Sequence, residues 1–175
     1  MKLIIPQIIG LAAVALYLLS FQLKKRNHIV WTTCISNGLY VLQYILLGAF
    51  SGAAMDFLST VCSFFAGKKN APGFTKHTKL IAWLGFGFIT VAGITIAVVR
   101  RDPVELLPIA GALLQTGGLW FEDEQTIRKF GLSAAPFWLA YNIISQAYGA
   151  AFGSLMAMVS SIVAILRYRK NRTEK

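Results

Sequence analysis

"LIAWLGFGFITVAGITIAVV" fills residues 80–99 and contains no charged side chain. The hydrocarbon core of a bilayer needs about 20 apolar residues in one helix, and this run supplies them alone. Working outward, residues 29–55, 106–121 and 130–166 are also free of Asp, Glu, Lys and Arg. The last of these is long enough for two spans joined by a tight turn. The whole chain of 175 residues is 56% hydrophobic and 14% charged, with a mean hydropathy of +0.60. Soluble domains carry about 25% charged residues, so this chain lacks the polar surface to coat a globule in water. The expected fold class is an all-α polytopic membrane protein.

The charges, glycines and prolines divide the chain into seven expected spans: 3–22, 29–47, 51–67, 79–99, 104–121, 128–147 and 150–168. An alternative for residues 1–20 is a secretory signal, with Lys2 as its basic start and Ala13-Val14-Ala15 as a cleavage site. The internal repeat described below favours a retained helix. Two connections, Gly48 to Phe50 and Tyr148-Gly149, are short and uncharged, as in helical hairpins.

Positive charge then orients the spans. With the N-terminus outside, Lys24, Lys25, Arg26, Lys68, Lys69, Lys76, Lys79, Arg128, Lys129 and the tail cations from Arg167 to Lys175 lie inside. Only Lys2, Arg100 and Arg101 lie outside. Basic residues collect on the cytoplasmic side of membrane proteins, so the expected topology is N-terminus out and C-terminus in. The same distribution accounts for the net charge of +10 without nucleic acid, since basic loops meet anionic lipid headgroups. The lipid bilayer is the expected partner.

Shifting the chain on itself by 98 residues aligns the two ends without a gap. Ile29 falls on Ile127, Ile45 on Ile143, Ala49 on Ala147, Ala53 on Ala151 and Ser63 on Ser161. Tyr40 falls on Trp138, Phe50 on Tyr148 and Asp56 on Ser154. Each half reads span, charged loop, span, short turn, span, basic residues. An odd linker span gives the second triplet the orientation of the first, so the repeats are expected to be parallel, about an axis along the membrane normal. This divides the chain into a first repeat, 1–68, a basic loop and linker helix, 69–103, and a second repeat with its tail, 104–175. Gly10 aligns with Pro108 and Gly38 with Pro136. Paired helix disruptions point to a midplane site, although Gly and Pro are also common in membrane helices generally.

The stretches "LLSFQLKKRNHI" (18–29) and "LLGAFSGA" (46–53), echoed by "FWLAYNIISQAYGA" (137–150), resemble the YgjV family of bacterial inner-membrane proteins. More distantly, the 3+1+3 plan is similar to the SWEET and PQ-loop transporters. That resemblance implies an inner-membrane location and a solute path between the triplets. It carries over no substrate, because the Asn pair that SWEET proteins place on their third and seventh spans is replaced here by Asp56 and Ser154.

No catalytic or metal-binding pattern emerges. His28 and His77 lie in different loops, Cys34 and Cys62 stand alone within spans, and neither a nucleophile elbow nor a phosphate loop is present. No enzyme activity, cofactor or metal is expected. The candidate solute- or proton-binding residues are Asp56, Asn142, Gln43, Tyr40 and Trp138. Asn142 and Gln43 have a second reading as interhelical hydrogen-bond partners, and Asp56 as a wetted residue near the outer surface, helped by the start of its helix. The cationic Lys24-Lys25-Arg26 aligns with the anionic Glu122-Asp123-Glu124, which suggests that the two loops pair as a gate. The functional expectation is an alternating-access carrier of a small polar solute; the rival is a receptor or assembly scaffold of the same fold.

Overall fold

The computed structural model describes residues 4–71 and 74–173, and is helical nearly throughout. Seven α-helices run in order: α1 Ile4–Gln22, α2 Arg26–Leu47, α3 Phe50–Gly67, α4 Thr78–Arg100, α5 Leu106–Gly118, α6 Glu124–Ile144 and α7 Tyr148–Thr173. Short 3-10 turns at Thr75–His77 and Pro103–Glu105 lead into α4 and α5. Helices are the natural outcome for such a sequence, because hydrocarbon offers no partner to an unpaired N–H or C=O.

By length and composition α1 to α4 can each cross a membrane. The expected span 104–121 is shorter than its sequence suggests. Pro103 starts a 3-10 turn, Pro108 falls in the first turn of α5, and the helix ends at Gly118 after 13 residues. That gives about 20 Å of helix. α6 begins at Glu124 rather than 128, because the Asp123 carboxylate caps it, accepting from Thr126 N at 2.8 Å. This N-cap also holds the Asp123 carboxyl below its usual range, chiefly through the Thr126 side-chain bond.

Six helices close a ring: α1 packs on α2, α2 on α3, α3 on α5, α5 on α6, α6 on α7 and α7 on α1. α4 leans on the outside against α3 and α5. Only Ile89 and Gly93 of α4 are buried, while Trp83, Phe88 and Val91 face outward.

The turns after α2 and α6 match bond for bond. Gly48 (φ 74°) donates to Ile45 O and Ala49 to Tyr44 O; Gln146 (φ 56°) donates to Ile143 O and Ala147 to Asn142 O. Left-handed residues commonly end helices in this way.

None of the expected disruptions breaks its helix. α1 runs through Gly10, α2 through Gly38 and α6 through Pro136. Pro108 sits where a helical N–H has no intrahelical partner to lose. Gly10 is instead a packing notch, filled by the Gln43 side chain, and a Cβ on Gly38 would touch nothing within 4 Å.

Candidate functional site

A cavity of about 20 Å³ lies at the centre of the ring. Every ring helix contributes to its wall, and the lining residues form pairs 98 positions apart: Tyr17 with Gln115, Asn37 with Ala135, Tyr40 with Trp138, Tyr44 with Asn142 and Asp56 with Ser154. One ordered water needs about 10–15 Å³ of such space, so the cavity has room for one.

Two of the three hydrogen bonds among its lining residues cross between the halves of the chain, and Asn142–Ser154 lies within the second. Tyr44 Oη donates to Asn142 Oδ1. Asn142 Nδ2 donates to Ser154 Oγ at 3.2 Å, and Gln115 Nε2 to Asn37 Oδ1 at 3.0 Å. The Tyr44 ring stacks on Trp138 with centroids 6.3 Å apart, and on Tyr40 at 6.4 Å.

Asp56 is 3% exposed and is the one acidic or basic side chain in the wall. Among the described residues, ion pairs join Arg26 and Lys69 to Glu122 and Arg100 to Glu105, and none includes Asp56. Two donors in lining residues, Asn37 Nδ2 and Trp138 Nε1, are buried without a protein partner.

Toward the hairpin end lies a larger, open vestibule of about 340 Å³, whose wall includes Ser51, Arg100, Asp102, Glu105, Tyr141 and Gln146. Tyr141 stands between vestibule and cavity. Its hydroxyl accepts from Gly52 N and shares a bond with Ser51 Oγ, both at 2.8 Å. Its ring packs edge-on against Tyr44 and Trp138, at 6.0 and 6.3 Å. Gly52 is required there, because a Cβ would lie 2.6 Å from the Tyr141 ring.

Toward the basic end, Tyr17 and Gln115 separate the central cavity from another of about 20 Å³, walled by Phe21, Ile29, Leu119, Ile127 and Arg128 among others. At this end two arginines reach across the ring. Arg26 on α2 donates to Leu119 O at 2.7 Å and Phe121 O at 2.9 Å, and also to Ala66 O at 3.0 Å. Arg128 on α6 donates to Phe21 O at 3.3 Å and Leu23 O at 3.0 Å. The two pairs of carbonyls are again 98 residues apart. Each arginine thus satisfies the orphan carbonyls at the end of a helix in the opposite half of the chain, where a positive charge also complements the helix dipole.

Residues 4–172, almost the full chain, match the family described as Imp-YgjV, bacterial inner membrane protein. The chain belongs to the Imp-YgjV family. It is therefore an integral, multi-pass protein of the bacterial inner membrane. No curated protein and no solved structure matches it.

In this Imp-YgjV chain, Asp56, Asn142, Tyr40 and Trp138 come together around the central cavity. The surface alternative for Asp56 does not hold, given its burial. Gln43 lies elsewhere. It follows Tyr40 by three residues but precedes Tyr44 by one, and one residue turns a helix by about 100°. Its amide is aimed at Gly10 and Gly149, fully buried and with neither polar atom bonded.

The loop pairing is narrower than triplet against triplet. Arg26 is buried and lies 3.6 Å from Glu122, while Lys24 and Lys25 are exposed. Asp123 is spent on the α6 cap. The closer partner of Glu122 is Lys69, at 2.8 Å, which also bonds Trp120 O. That Lys69 bond is the main reason the Glu122 carboxyl sits below its usual range; Asn70 and Arg26 add to it.

Tyr17, Asn37, Tyr44 and Gln115 line the cavity without having been binding candidates in the sequence, and Ser154, which also lines it, entered only as the counterpart of Asp56. Pairing polar residues by the 98-residue shift would have found Tyr17 with Gln115 and Tyr44 with Asn142; Asn37 falls on Ala135 and carries no such signal.

Proposed function

We propose that the protein is an alternating-access carrier of a small polar solute. In this reading α1–α3 and α5–α7 are parallel repeats about an axis through the central cavity, and α4 is the linker. The observation that carries it is the succession of vestibule, polar central cavity and inner cavity along the ring: Tyr17 and Gln115 are shared by the two cavities, and Tyr141 of the vestibule wall packs on Tyr44 and Trp138 of the central one. Tyr141 and the Tyr44–Asn142 bond close one side of the centre. Tyr17, Gln115 and the two arginines close the other. Movement of one set while the other holds would pass a solute through.

The basic end carries most of the Lys and Arg, so this reading places it in the cytoplasm and the vestibule in the periplasm. A reporter fused to the C-terminus is then active in the cytoplasm and a tag at the N-terminus is periplasmic. The rival, a receptor or scaffold, is favoured by one observation: the central cavity holds no more than a water-sized group. Uptake of labelled sugars, nucleosides and amines into proteoliposomes separates the two. A carrier gives saturable uptake of one class, blocked when a bulky residue replaces Ser154; the rival gives none with any.

A further inference from the structure

The polar atoms around the central cavity divide into those already bonded, those sealed off and those left open to it. Tyr44, Asn142 and Ser154 are bonded to one another. Asn37 Nδ2 and Trp138 Nε1 are sealed off, with no open surface. The Asp56 carboxylate is neither. Its residue is 3% exposed and forms no ion pair among the described residues. The Thr60 hydroxyl bonds the Asp56 backbone oxygen at 2.8 Å, not the carboxylate. Neither carboxylate oxygen is among the buried atoms that lack both a partner and open surface. In so deeply buried a residue, that open surface is the cavity's. The hydroxyls of Tyr17 and Tyr40, in the same wall, are also unbonded among the described residues and also not sealed.

One negative charge beside a space of about 20 Å³ narrows the guest. The space holds one water-sized group. A neutral guest leaves the buried carboxylate without a counter-charge, which is costly, and an anion is repelled. A divalent ion leaves a buried positive charge in excess. Such ions are held by several carboxylates, and no group of three or more His, Cys, Asp or Glu stands together among the described residues. A monovalent cation balances Asp56 charge for charge. It enters so small a space only without its water, and oxygen lone pairs of the wall then replace the hydration shell.

We propose that the central cavity is a binding site for one dehydrated monovalent cation. Asp56 is its counter-ion, and the Tyr17 and Tyr40 hydroxyls are neutral oxygen ligands. Sodium, potassium and ammonium ions ask the same chemistry of the wall, a negative charge with oxygen lone pairs beside it. The site rests on the cavity and Asp56, and stands with or without the carrier reading.

The test uses the purified full-length protein in detergent. Sodium, potassium and ammonium chloride are titrated against choline chloride at constant ionic strength, so that chloride and screening stay fixed; choline is too large for the cavity. Calorimetry and thermal shift should show saturable binding and stabilisation by at least one of the three, and none by choline. The tightest binder identifies the ion. Asp56→Asn should weaken that binding by about tenfold or more, since it leaves the cation without its counter-charge. Tyr40→Phe, which removes an unbonded hydroxyl and leaves no group unpaired, should weaken it several-fold and serves if Asp56→Asn does not fold. The proposal is overturned if none of the three binds, the result expected of an Asp56 that carries only a proton. It is overturned equally if choline stabilises as well as they do, or if affinity is unchanged in either folded variant. Solute uptake by the same preparation in sealed vesicles separates the two ideas. Asp56-dependent cation binding without uptake of any solute keeps the site and sinks the carrier. Saturable solute uptake by a protein that binds none of the three cations sinks the site and keeps the carrier.

Discussion

Tyr44 and Asn142 occupy equivalent positions in the two halves of the chain, 98 residues apart, and they bond to each other across the centre of the ring. Asn142 in turn donates to Ser154, the counterpart of Asp56 under the same shift.

Tyr44→Phe keeps the stacked ring and deletes the hydroxyl. Asn142 Oδ1 then loses its partner in a buried site, which costs about 1–3 kcal/mol. Thermal unfolding in detergent should show that loss. Adding Asn142→Leu should cost less than the sum of the two single changes, because nothing is left unpaired; strict additivity would mean that the bond contributes nothing.

The two arginines should act on opposite halves of the chain. Arg26→Ala should speed amide hydrogen exchange around residues 115–121, and Arg128→Ala around 17–23. Bonds to charged donors contribute about 1.5–3 kcal/mol each. Exchange that rises only next to the mutated residue would show that the crossing contacts do not hold those helix ends.

Glu122 gives a pH signature. A carboxylate whose pKa is lowered by folding stabilises the fold above its unfolded value, about 4.3, and loses that contribution as pH falls through the lower folded value. Exposed pairs contribute about 0–1 kcal/mol. The difference in melting temperature between the protein and Glu122→Gln should be small at pH 7 and shrink as the pH falls below about 4.3; a gap that widens on acidification would contradict the Lys69 pairing.

The matched turns predict opposite responses. Gln146 holds a left-handed conformation that glycine adopts without penalty, so Gln146→Gly should stabilise by about 1 kcal/mol. Gly48→Ala should destabilise by a similar amount. Equal effects of one sign, read from unfolding midpoints, would show that backbone strain is not what distinguishes the turns.

By itself the sequence determined the membrane helices, because a charge-free run of about 20 residues has one way to satisfy its backbone in hydrocarbon. It also contained the 98-residue correspondence, and with it the pairing of Asp56 with Ser154 and of Tyr40 with Trp138. Which side chains face the centre was another matter. These helices are apolar nearly all round, so no amphipathic stripe separates an inner face from a lipid-facing one. Only tertiary packing put Tyr44 on the central cavity and turned the adjacent Gln43 into the notch at Gly10. Only packing carried Arg26, which reads as one of three loop cations, under the ends of α3 and α5, where its donors meet carbonyls distant in sequence. The helices follow from local backbone chemistry; the cavity follows from how six of them close a ring.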